Sequence, residues 1–149
     1  MKAFLSFFLL NNSNKTDLGL LVVRLGIGLS MALFHGWGKI SSPERWAGYG
    51  ANMKMFGLDF FPEFWGFMAG FAEFGCSILI ILGLFHRPAT AMLAFTMLVA
   101  SIYHLSLPED NPNSGFSGAS HALEMMTVYV ALFLSGPGKF SLMPGKKEE

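Results

Sequence analysis

Cysteine is nearly missing from these 149 residues: Cys76 stands alone, so no intrachain disulfide and no CxxC metal or redox motif is possible. Its place in an apolar run reads as small-residue packing. Charge is also scarce. Charged residues make up 13% of the chain, against about 25% in an average soluble domain. Ten basic side chains balance ten acidic ones, which excludes the concentrated basic surface that nucleic acid requires. There is no internal repeat and no low-complexity tract.

What is abundant is apolar and aromatic. Hydrophobic residues reach 52%, sixteen of them Phe, and the mean hydropathy is +0.47. The class these numbers point to is an integral membrane protein of one domain. The N-terminus resembles a signal peptide in outline, with Lys2 ahead of an apolar run. That run is short, and polar residues follow it instead of a small-residue cleavage site. Residues 4–10 are therefore read as an interfacial segment, and the two Asn-x-Ser/Thr sequons beside it as chance.

The organising stretch is residues 18–39, LGLLVVRLGIGLSMALFHGWGK. It is long enough to cross a bilayer, yet Arg24, Gly28, Met31, His35 and Lys39 fall within roughly 80° of one another on a regular helix. A stripe of that kind faces a bundle interior, because charge in a span is expensive. Thr16 or Asp17 is placed to cap this helix, which should run to about residue 37. Gly28, Ala32 and Gly36 form a small-xxx-small row suited to close helix packing.

Residues 43–56 place Trp46, Tyr49, Met53 and Phe56 at helical spacing, the pattern of a short helix lying flat on the membrane. Gly48, Gly50 and Gly57 weaken it, so a broken or re-entrant segment is the alternative. A second span is expected at residues 64–85, with Gly66, Gly70, Glu73 and Ser77 on one stripe. His86-Arg87-Pro88 reads as a tight turn. A third span at 89–107 carries Thr96, Tyr103 and His104. Residues 108–118 are loop by composition, and a fourth span at 119–135 carries His121, Glu124 and Tyr129.

The expected fold is all-α: a four-transmembrane-helix bundle with a short interfacial segment between helices 1 and 2. Residues 1–17 precede the bundle, 18–142 form it, and 143–149 are a charged tail. Four spans put both termini on one side. Six Lys and Arg then lie on the terminal side and three (Lys39, Arg45 and Lys54) on the other, which favours cytoplasmic termini. Trp37, Trp46 and Trp65 all fall at the outer interface.

On this topology His35, His104, His121 and Glu124 sit near the outer ends of their helices. Glu73 lies about 13 Å deeper at 1.5 Å per residue. Arg24 alone is in the inner half, where it could pair with Glu73 or snorkel to the surface. Each of these residues has a structural reading. Arg24 and Glu73 could lock helix register, and His121 with Glu124 could serve a helix start. Convergence of His35, His104, His121 and Glu124 would suffice for a metal, but spacing alone does not require it, and no metal is assigned. The other use of the same groups is proton-coupled chemistry on a lipophilic molecule. A quinone needs a flat apolar slot, which Phe64, Phe67, Phe71, Phe74 and Tyr103 could wall, and polar groups at its carbonyls.

The segments VVRLGIGLSMALFHGWGKI, AGFAEFGCSILIILGLFHRPAT and GASHALEMM…SGPGKFSL, in that order, resemble the DoxX family of small membrane proteins. Arg24, residues 35–39 and Ala72-Glu73 carry the resemblance most specifically. It implies a four-helix protein of the bacterial inner membrane. It also implies kinship with the membrane subunit of thiosulfate:quinone oxidoreductase and with membrane-linked redox-stress systems. A soluble redox partner would be a separate chain.

The leading reading is therefore a quinone-linked oxidoreductase subunit embedded in the lipid bilayer. His35, Glu73, His104, His121 and Glu124 would handle protons, and Arg24, Lys39 and Tyr103 would contact the cofactor. The alternatives are a non-enzymatic anchor or assembly factor for a soluble redox enzyme, and a small proton or solute carrier.

Overall fold

The computed structural model describes residues 13–143. The proposed N-terminal interfacial segment and the last six residues of the tail lie outside that range. Among the described residues the secondary structure is entirely helical.

Helix α1 spans Asn14–Ile40. It is α-helical over Ser13–Ser30, opens into a π-turn at Met31–Gly36, and closes as α-helix over Trp37–Ile40. The connection that follows is broken, as its glycines suggested. A 3-10 turn at Pro43–Arg45 leads into the short helix α2, Trp46–Gly50, and a second 3-10 turn at Ala51–Phe56 ends on Gly57, which is left-handed at φ 75°. Helix α3 spans Pro62–Leu82 and contains a second π-turn at Ala72–Cys76. Helix α4 is His86–Ser106 and α5 is Gly115–Ser135.

Helices α1, α3 and α4 are long and apolar enough to cross a membrane. Helix α5 has the length of α4 and carries His121 and Glu124 in its first half, and it is not among these three. Three of the four expected spans are thus long and apolar enough to cross a membrane, and α5 packs with them as a fourth long helix. All four share one core. Met31 of α1, Cys76 and Ile80 of α3, Leu93 and Met97 of α4, and Tyr129 and Leu132 of α5 are buried together.

The start of α1 and the α3–α4 reversal differ from expectation. Asp17 does not cap α1, which is already helical at Ser13; its carboxylate instead accepts the Lys139 backbone N–H at 3.0 Å. That bond places both described ends of the chain at the same end of the bundle, here called the terminal end. The opposite end, carrying α2, is the loop end. The reversal between α3 and α4 comes earlier than His86-Arg87-Pro88, at Gly83 (φ 69°) and Phe85 (φ 42°), so His86 opens α4 and is buried. Pro88 stays in the first turn, where a missing N–H leaves no helix bond unmade.

The small row of α1 packs on α3 as its spacing requires. A Cβ on Gly28 would stand 2.5 Å from the Ile81 side chain, and one on Gly36 would stand 2.4 Å from the Phe74 backbone nitrogen. The two π-turns therefore meet backbone to backbone.

Candidate functional site

The chemistry collects at the loop end, around the facing π-turns. A π-turn inserts one extra residue, and one residue rotates a helix face by about 100°. Up to the first residues of the π-turn, α1 buries Arg24, Gly28, Met31 and Ala32. At its last residue Gly36 holds the buried face, and His35 is turned out of the α1–α3 contact. The single stripe of a regular helix is thus split. His35 swings toward α5, where its ring stacks on His121 with centroids 5.2 Å apart and planes 23° from parallel. Two of the three candidate histidines therefore meet, both at exposed positions.

One turn beyond the insertion, Lys39 Nζ reaches Glu73 Oε1 at 2.5 Å. The carboxylate is 2% exposed, and the Lys39 side chain is 28% exposed. Glu73 thus pairs with Lys39 and not with Arg24, which corrects the expected α1–α3 lock. Arg24 lies about two turns further along α3, fully buried, and donates to the carbonyls of Ile80 (3.4 Å) and Phe140. It ties α1 to the end of α3 and to the chain after α5, a bracing role outside the loop-end cluster.

The connection covers the ion pair. Trp46 Nε1 donates to the Lys39 carbonyl at 2.9 Å, and the Tyr49 ring lies 5.5 Å from the Lys39 ammonium, a cation–π contact. Gly50 and Gly66 make this seating possible. A Cβ on Gly50 would fall 1.8 Å from the Pro62 carbonyl oxygen, and one on Gly66 would fall 1.9 Å from that of Trp46. Of the glycines that weakened the helix pattern, Gly50 is the one that, with Gly66 of α3, lets α2 lie against α3.

Tyr49 also forms one wall of an apolar pocket of about 140 Å³, lined further by Met53, Phe64, Trp65, Met92 and Phe95. Of the aromatic slot expected from sequence, only Phe64 is in this wall. Phe67 stacks with Phe71 and meets Trp46 edge-on, Phe74 packs on Trp37, and Tyr103 packs on His104. A second, shallow depression of about 350 Å³ lies at the terminal end between Ile81, Leu82 and the chain at Lys139–Leu142.

His104 and Glu124 are not drawn into the cluster. His104 Nδ1 is bonded to the Asn113 carbonyl at 2.8 Å and braces the α4–α5 loop. Glu124 sits at an exposed position on α5. Among the described residues no group of three or more His, Cys, Asp and Glu side chains could hold a metal ion. The four-ligand set weighed from sequence therefore does not assemble.

Deeper in the bundle is a polar layer that the sequence reading left without a role. Ser77 and Tyr129 are fully buried, and Tyr129 packs in the same core as Cys76 and Ile80, the α3 residues on either side of Ser77. Their hydroxyl oxygens and Glu73 Oε2 have no hydrogen-bond partner. The only hint in sequence was the place of Ser77 one turn after Glu73 on the same stripe.

The DoxX family model matches residues 19–105, from the start of α1 nearly to the end of α4. This is narrower than the stretch of residues 18–142 over which the resemblance was expected. It includes Arg24, His35, Lys39, Tyr49 and Glu73, and leaves His121, Glu124 and Tyr129 outside. No curated protein and no solved structure matches the chain.

Proposed function

The chain belongs to the DoxX family, and on that premise we propose that it is the membrane subunit of a quinone-linked redox system, binding the quinone ring at the loop end. One observation carries this reading: Tyr49 is shared between the apolar pocket and the Lys39–Glu73 pair. A pocket of about 140 Å³ is close in size to an apolar cavity known to admit benzene, about 150 Å³. It suits one six-membered ring. The polar groups at its edge would answer the ring's carbonyls, with the Lys39 ammonium and the Tyr49 hydroxyl as donors. The stacked His35 and His121 offer ring nitrogens for proton exchange at the surface. Electrons would come from a separate redox protein, since Cys76 is the only cysteine and is buried.

The bilayer orientation belongs to the same proposal: loop end outward and termini cytoplasmic, in a bacterial inner membrane.

The test is mass spectrometry of the lipophilic molecules retained by detergent-purified protein. Wild type should retain quinone near one per chain. Tyr49→Ala should lose it, and Lys39→Met should weaken retention about tenfold, the equivalent of one hydrogen bond of roughly 1.4 kcal/mol. Quinone retained equally by Tyr49→Ala would overturn this site. No quinone in any preparation would overturn the reading in favour of an anchor, for which the exposed charges Glu44, Arg45 and Lys54 around α2 are the surface a soluble enzyme would meet.

A further inference from the structure

Glu73 Oε2, Ser77 Oγ and Tyr129 OH are buried side-chain atoms with no hydrogen-bond partner, and the three residues are 2%, 0% and 0% exposed. Each such group costs about 1–3 kcal/mol if left dry. They are not scattered. Glu73 and Ser77 are one turn apart on α3, and Tyr129 of α5 is buried in one cluster with Cys76 and Ile80, which flank Ser77.

The reason Ser77 is free is local. Buried hydroxyls on helices ordinarily bond the carbonyl four residues back. Thr90, Thr96 and Ser101 do so here, at 2.8–2.9 Å. The corresponding carbonyl for Ser77 is that of Glu73, which sits inside the π-turn and is pressed against Gly36 of α1. The π-turn thus withdraws the usual acceptor and leaves the hydroxyl pointing into the bundle.

We propose that Glu73, Ser77 and Tyr129 enclose a bound water molecule, and that this water keeps the Lys39–Glu73 pair charged inside the bundle. The donor count closes. The water accepts the Tyr129 and Ser77 hydroxyl protons and donates one of its own to Glu73 Oε2, which gives three of the two to four partners a buried water needs. A buried ion pair holds its charges only when the remaining lone pairs of its carboxylate are satisfied. Lys39 satisfies Oε1, and the water satisfies Oε2. Ser77 and Tyr129 are then positioning residues: they act on Lys39, the cation facing Tyr49, through the carboxylate. This site stands whether or not a quinone occupies the neighbouring pocket.

The experiment uses the full chain in detergent. Pulsed hydroxyl-radical labelling in water enriched in oxygen-18 reports internal water directly. Cys76 and Tyr129, at 1% and 0% exposure, should incorporate the label in wild type, and Ser77→Ala should lose it at both. Infrared difference spectra supply the second readout, with the Glu73 band assigned by its disappearance in Glu73→Gln. Wild type should show an ionised carboxylate. Tyr129→Phe and Ser77→Ala, two independent variants in case one fails to fold, should convert it to the protonated carboxyl band.

A dry site predicts the opposite. It would show no label in wild type, and Tyr129→Phe would leave the carboxyl band in place and the melting point unchanged or raised, because removing an unpaired buried hydroxyl costs nothing. Either result overturns the water site without touching quinone retention. Loss of quinone binding with the label intact would overturn only the pocket assignment.

Discussion

Lys39 is the residue whose removal separates the ion pair from the rest of the bundle's packing. Its ammonium faces the Tyr49 ring of α2, and its partner carboxylate is buried. Removing one member of a buried pair leaves an uncompensated charge, whereas replacing both with apolar or neutral groups of similar volume is tolerated. Lys39→Met is therefore expected to lower stability by up to about 3 kcal/mol, read as a lower unfolding midpoint in detergent. The double variant Lys39→Met, Glu73→Gln should recover most of that loss. If the double variant is as unstable as the sum of the two single changes, the pair is not coupled. Arg24 predicts differently. Its guanidinium bonds two carbonyls on separate elements, so Arg24→Met should destabilise the bundle, and no change at Glu73 should rescue it. A cycle in which Glu73→Gln restores the Arg24→Met variant would revive the α1–α3 lock read from sequence.

At the scale of elements, the π-turns and the glycine contacts decide the site. Gly36 and Phe74 leave no room for a Cβ, and the atoms in the way are backbone. Gly36→Ala should thus cost about 1–3 kcal/mol, the range for overpacking, and should move His35 away from His121. Gly66→Ala should act more locally, lifting α2 off α3 and exposing the connection to protease while α4 and α5 stay folded. Cleavage unchanged in that variant would show that α2 is not seated through Gly66. These same features mark the limit of the sequence reading. The helices, their order and the small row Gly28, Ala32, Gly36 were legible, because apolar length and i, i+4 spacing survive any local distortion. The partners of Glu73 and His35 were not, because a regular wheel assigns both Lys39 and His35 to the Arg24 face. One inserted residue in each helix re-aims everything after it, and no residue in MALFHG or AEFGC announces the insertion. The break in the connection was legible from its glycines, but the close backbone approach at Gly50 was not, because it depends on a surface supplied from elsewhere in the chain.

For the whole molecule, the question the fold raises is which end faces out. Both described ends of the chain lie together, tied by Asp17 to Lys139, and the three tryptophans cluster at the other end. Lys15, Arg87 and Lys139 lie at or near the terminal end, and Lys39, Arg45 and Lys54 near the loop end. The described residues alone are therefore evenly matched. The asymmetry rests on Lys2, Lys146 and Lys147 in the flanking segments, and basic residues near span ends hold their side in the cytoplasm. Lys39 adds less to the outer count than its charge suggests, because Glu73 neutralises it. The balance thus tips further toward cytoplasmic termini than a simple count implies. The protein supplies a clean reporter, since Cys76 is buried and should give no background. Met55→Cys, on the exposed side of the connection at 38% exposure, should react in intact cells with a membrane-impermeant maleimide. Ser120→Cys, at an exposed position near the start of α5, should react from the same side. Labelling of either only after the membrane is opened would invert the topology, and would place the Tyr49 pocket on the cytoplasmic face, within reach of a soluble reductant there.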